Sequence, residues 1–75
     1  MTYKEMIPFL QSNHFYPYPN VKDGDIVSLN VECSATILMD SRKQRLEEIL
    51  KDEKVKITRF PNEGYLLIEK KQPRQ

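Results

Sequence analysis

From Val27 to Met39 every odd-numbered residue is apolar: Val27, Leu29, Val31, Cys33, Ala35, Ile37 and Met39. Ser28, Asn30, Glu32, Ser34 and Thr36 between them are polar. A two-residue period sends alternate side chains to opposite sides of a strand, so this stretch predicts half-buried β structure. Thirteen straight residues would run about 43 Å, while a chain this short should fold to a radius of gyration of about 11 Å. The strand must therefore bend, bulge or fold back into a hairpin, and Glu32–Ser34 is the expected place. A second pattern overlaps it. Ala35, Leu38, Met39, Arg42 and Leu46 share a helical face, so residues 34–40 also suit the opening of a helix; the strand is the preferred reading.

Before this stretch, Thr2 followed by Glu5 has the spacing of a helix capping box. Tyr3, Met6, Ile7 and Leu10 then recur on one helical face. Pro8 inside that pattern is expected to kink the helix or move its start, and Asn13 to end it in the left-handed conformation. His14 to Asn20 reads as a stiff aromatic connector, because Tyr16 and Tyr18 each precede a proline and so avoid the α region. Lys22-Asp23-Gly24-Asp25 is turn chemistry.

After the alternation, Asp40 or Ser41 is placed to cap a helix reaching about Asp52. Leu46, Ile49 and Leu50 form its apolar stripe and Glu47–Lys51 an i,i+4 ion pair. Lys54–Phe60 and Tyr65–Lys70 read as strands flanking Pro61-Asn62-Glu63-Gly64. If Phe60 faces Tyr65, then Ile57 faces Ile68, Arg59 faces Leu66 and Lys56 faces Glu69. Apolar and ionic partners agree in that single register. The expected fold is a small single α+β domain over residues 1–71. It has an N-terminal helix, a long bent strand or hairpin, a second helix and a C-terminal β-hairpin (α-β(β)-α-β-β), with the helices on one face of a mostly antiparallel sheet. Residues 72–75 read as a frayed polar tail.

Composition narrows the function. The chain has 75 residues, a net charge of +1, one cysteine, one histidine and two glycines. A single Cys33 leaves no internal disulfide, and a single His14 leaves no ordinary Cys/His zinc set. Gly24 and Gly64 alone cannot build a glycine-rich phosphate loop. Asp23 and Asp25 lack the surrounding calcium-loop pattern. Cys33 lies on the apolar side of the alternation and reads as a buried thiol, and His14 as a helix-end residue. The expectation is a non-enzymatic protein with no metal and no cofactor. No apolar run approaches a membrane span, and the N-terminus lacks signal-peptide features. With the unpaired cysteine, this points to a cytoplasmic location.

Two surfaces stand out. One is the connector with Tyr16 and Tyr18, whose stiff aromatics suit a protein partner. The other is the side of the terminal hairpin that carries Lys56, Thr58, Phe60, Tyr65 and Leu67. The alternative to its exposure is that a helix or the connector covers it as a second core layer. The leading expectation is a protein-binding module, a small regulator or inhibitor that occupies a larger partner through Tyr16, Tyr18, Phe60, Tyr65, Leu67 and Lys56. The alternative is an accessory nucleic-acid-binding protein, in which bases stack on Phe60 and Tyr65 while Lys56, Lys70, Lys71 and Arg74 meet phosphates. It draws on the charge split: residues 1–40 balance at −3 and residues 41–75 at +4. A homodimer pairing through a strand edge is a third expectation.

Overall fold

The computed structural model describes residues 1–71; the tail at 72–75, including Arg74, lies outside them. Helix α1 spans Tyr3–Ser12, strand β1 Pro17–Lys22 and strand β2 Asp25–Glu32. A 3-10 turn at Thr36–Leu38 leads into helix α2, Met39–Ile49, and a second at Lys51–Glu53 leads to strands β3, Val55–Phe60, and β4, Tyr65–Lys70. The four strands form one sheet in the order β1-β2-β4-β3, every neighbour antiparallel. This is the α+β arrangement expected from the sequence, but the first hairpin is made by the connector segment pairing with β2 and not by the Val27–Met39 stretch folding back on itself. The radius of gyration is 11.9 Å.

The first helix begins where its capping box says. The Glu5 N–H donates to Thr2 Oγ1 at 3.1 Å, and the Thr2 N–H donates to Glu5 Oε1 at 2.8 Å. Pro8 lies within the helix and does not reset its start. The left-handed stop is His14, φ 66°, rather than Asn13, φ −100°. The His14 N–H donates to the Gln11 carbonyl at 3.1 Å and the Phe15 N–H to the Leu10 carbonyl at 2.9 Å. These two bonds make a Schellman cap. It is completed by Leu10 and Phe15, both buried in the core, and their burial fixes which residue must turn.

The connector is not a separate element. Tyr16 accepts from the Glu32 N–H at 3.0 Å, and the chain continues from it as β1, with Pro17 opposite Val31 and Tyr18 opposite Asn30. Asp23 and Gly24 turn β1 into β2, both at positive φ (52° and 87°). Two such residues suit the right-handed twist of a hairpin.

The alternation that opened the sequence breaks twice. Asn20 pairs with Ser28 but Val21 with Ile26, which leaves Val27 without a partner. This is a β-bulge. It reverses the facing of the residues before it, so Ile26 packs on the core and Val27 stays 46% exposed. The irregularity thus falls at Val27 and not at Glu32–Ser34. The second break comes after Cys33, whose N–H donates to the Gly64 carbonyl at 2.8 Å. Strand β4 starts at Tyr65 and β1 at Pro17, so residues beyond 33 have no strand beside them. Residues 34–39 are therefore not strand: Thr36–Leu38 coil into a 3-10 turn, Ile37 is 91% exposed, and Met39 is buried as the first residue of α2.

Helix α2 starts at Met39, with no side-chain cap from Asp40 or Ser41. Instead Asp40 is paired with Arg59 of β3, and the Ser41 hydroxyl donates to the Leu38 carbonyl. The i,i+4 ion pair on this helix is Lys43–Glu47 at 2.9 Å rather than Glu47–Lys51. Leu46 and Leu50 are buried as expected. The β3–β4 hairpin adopts the expected register throughout, with Phe60 opposite Tyr65 and Lys56 opposite Glu69. Met6, Leu10 and Phe15, with Met39, Leu46 and Leu50, pack on Leu29, Val31, Ile57, Leu66 and Ile68. Helix α1 lies against β1 and β2, and α2 against β3.

Candidate binding face

The ladder registers assign each strand residue to a side of the sheet. Leu29, Val31, Leu66, Ile68 and Ile57 form the side on which the helices pack. The intervening residues form the other side, and they line up in rows across the strands. Tyr16, Glu32, Tyr65 and Phe60 form one row; Tyr18, Asn30, Leu67 and Thr58 form the next. Lys56 and Glu69 stand at the end of a third.

Tyr16, Tyr18, Phe60, Tyr65, Leu67 and Lys56 therefore share one face. Sequence reasoning had divided them between a connector and a hairpin. No described helix covers this face. Tyr16 is 65% and Tyr18 55% exposed, while Phe60, Tyr65 and Leu67 are half-buried among their neighbours. The Phe60 and Tyr65 rings stack with centroids 4.9 Å apart and planes 22° from parallel. That offset geometry favours aromatic pairs and makes a rigid apolar platform.

Polar neighbours orient the rest. The Tyr18 hydroxyl donates to Glu32 Oε2 at 3.2 Å. That hydrogen bond, and then the carboxylate charge, push the phenol pKa up from its ordinary value. Asn20 Nδ2 donates to Ser28 Oγ at 2.8 Å and to Asn30 Oδ1 at 3.1 Å. Ser28 is thereby satisfied although buried. Sequence reasoning did not include Glu32, Asn30 or Asn20 in the site. The polar side of the β2 alternation was legible, but its pairing with the tyrosines was not.

At one end the face runs into a cleft of about 260 Å³ lined by Tyr16, Glu32, Ala35, Leu38 and Arg42. Arg42 is fixed there: it donates to the His14 carbonyl at 2.7 Å, and its guanidinium carbon lies 4.2 Å from the Phe15 ring centroid. Leu38 is 51% exposed.

The described basic residues of the nucleic-acid alternative, Lys56, Lys70 and Lys71, do not collect around the stacked rings. Lys70 lies on the helix side of the sheet, with Nζ 5.3 Å from the Tyr3 ring centroid and its backbone N–H donating to the Tyr3 hydroxyl at 2.7 Å. Lys71 follows the end of β4, its N–H bonded to the Lys54 carbonyl. Of the described residues in that set, Lys56 lies on the same side as Phe60 and Tyr65, four residues from Phe60 along β3 and directly opposite Glu69, while Glu32 stands opposite Tyr65.

Cys33 is buried, its Sγ 3.4 Å from the Ala35 carbonyl oxygen, and His14 is exposed at the helix cap. Among the described residues no three His, Cys, Asp or Glu side chains are grouped to hold a metal ion. No described helix is long and apolar enough to cross a membrane. No family model, curated protein or solved structure matches this chain.

Proposed function

We propose that this chain is a non-enzymatic protein-binding module, a small regulator or inhibitor that occupies a larger cytoplasmic partner through the helix-free face of its sheet. One observation carries the reading: Tyr16, Tyr18, Phe60, Tyr65 and Leu67, from three strands and the segment leading into one of them, converge on a single uncovered surface. Rigid aromatics lose little conformational entropy on binding and dominate interface energies. Glu32 and Asn30 of β2 lie between the β1 tyrosines and the apolar residues of β3 and β4, and Lys56 and Glu69 border one end; apolar surface bordered by polar groups is the usual form of an association site. The adjoining cleft suits a partner side chain entering beside Leu38.

The charge arrangement weighs against the nucleic-acid reading. Strand-binding platforms set cations around their stacking rings, and here the cross-strand neighbour of the ring pair is the carboxylate Glu32, while Lys56 stands two rows away opposite Glu69.

The test is affinity capture in the native host, comparing wild type with the double variant Tyr16→Ala/Tyr65→Ala. The expected result is a stoichiometric protein partner that the double variant loses while keeping the wild-type circular dichroism spectrum. Equal recovery by both proteins, or nothing above background with wild type, overturns the reading. Tight single-strand oligonucleotide binding that weakens steeply with salt would replace it with the alternative.

A further inference from the structure

The sheet of described strands has two edges, and prolines interrupt one of them. The Glu32 N–H bond to the Tyr16 carbonyl shows that even-numbered residues of β1 face β2. Pro17 and Pro19 therefore hold two of the outward positions on that edge, and neither has an N–H to offer. At the other edge, Lys54 accepts from the Lys71 N–H and Phe60 from the Gly64 N–H, so even-numbered residues of β3 face β4. Val55, Ile57 and Arg59 point their backbone groups outward, and no described strand lies beyond them. An open edge of this kind is a template for pairing.

We propose that two copies of this chain pair antiparallel along β3, about a twofold axis at Ile57, to form one continuous eight-stranded sheet. Chemistry selects the register. With Ile57 on the axis, all three outward residues are used: Val55 lies opposite the second copy's Arg59, and Lys56 opposite its Thr58. A two-residue slip one way sets Lys56 opposite its own copy, like charges in the closer kind of cross-strand pair. A slip the other way runs Val55 against Pro61, which has no N–H. The surface above the same edge is also self-compatible. Asp40, Lys43, Gln44, Glu47 and Arg59 line an open groove with two carboxylates and two cations, so a second copy meets no net charge there. The pairing is isologous and it consumes the edge of the described sheet that prolines do not interrupt, so it closes at two copies and does not propagate into a fibre.

Lys56 and Thr58 lie on the same side of the sheet as the proposed binding face, but its tyrosines take no part in the edge, so the tyrosine variant separates the two readings. The experiment is light scattering on the purified full chain from micromolar to millimolar concentration. It uses wild type, Thr58→Lys, Thr58→Glu, the charge swap Lys56→Glu/Thr58→Lys, and Tyr16→Ala/Tyr65→Ala. Wild type should approach twice the 8.9 kDa chain mass. Each substitution at 58 changes two symmetric cross-strand pairs, so Thr58→Lys should weaken the dimer and Thr58→Glu tighten it, each by roughly 2- to 30-fold. The charge swap should recover what Thr58→Lys loses, and the tyrosine variant should dimerise as wild type does. A wild type that keeps the single-chain mass throughout overturns the proposal. So does a dimer on which Thr58→Lys and Thr58→Glu act alike. If Thr58→Lys fails to fold by circular dichroism, Thr58→Glu and the charge swap decide: both must dimerise, with Thr58→Glu tighter than wild type.

Discussion

Glu5 is held ionised by Thr2, whose backbone N–H and then side chain bond the carboxylate and keep its pKa below the usual carboxylate range. A carboxyl that ionises more readily folded than unfolded stabilises the fold fully above its unfolded value, about 4.3. That contribution is lost as pH falls through the lower folded value. In urea titrations, wild type should therefore exceed Glu5→Ala at neutral pH, and the two should converge as the solution is made acid. A gap that persists undiminished in acid would show that the cap owes nothing to the charge. The Thr2–Glu5 box was legible in the sequence because both of its bonds span three residues. His14 was not legible as the left-handed stop. Asn tolerates that conformation better, but the burial of Phe15 and Leu10 sets the position of the turn, and burial belongs to the whole fold.

At the scale of elements, the β1–β2 hairpin needs Gly24 for its backbone conformation and not for any close packing contact. Its φ is +87°, and a Cβ placed there would meet no atom within 4 Å. Gly24→Ala should thus cost only the left-handed backbone penalty, about 1 kcal/mol, read as a lower denaturation midpoint at unchanged m-value. A loss of several kcal/mol would mean that the turn is coupled to the core. The terminal hairpin was readable in full because residues 55 to 70 carry their own pairing information: Ile57 with Ile68, Lys56 with Glu69, and a four-residue loop between. The Val27–Met39 alternation was readable as strand only to Cys33. Its period is real, but a strand needs neighbours to bond, and past Cys33 none exist, so the helical pattern of Met39, Leu46 and Leu50 prevails.

At the scale of the whole molecule, the helices divide the sheet into a core side and an open side, and the two should respond differently to substitution. Leu29 is fully buried, so Leu29→Ala should cost about 2–5 kcal/mol, a large share of what a domain this small can have. Tyr18→Ala, on the open face, should stay within about 0.5 kcal/mol of wild type. Comparable losses at both positions in denaturant titrations would mean that the face is a packed layer. The aromatic and apolar residues of the candidate site were each legible, since composition and strand parity mark them. Their union on one surface was not, because it required the Tyr16–Tyr18 segment to pair with β2 and β2 with β4, contacts between residues far apart in the chain. The sequence by itself determined what depends on near neighbours: the α1 cap, the Asp23-Gly24 turn, the register of β3 with β4, and the α+β class. Only the tertiary structure decided the bulge at Val27, the end of β2 at Cys33 and the assembly of the face, because each depends on which backbone groups find a partner once distant strands are side by side.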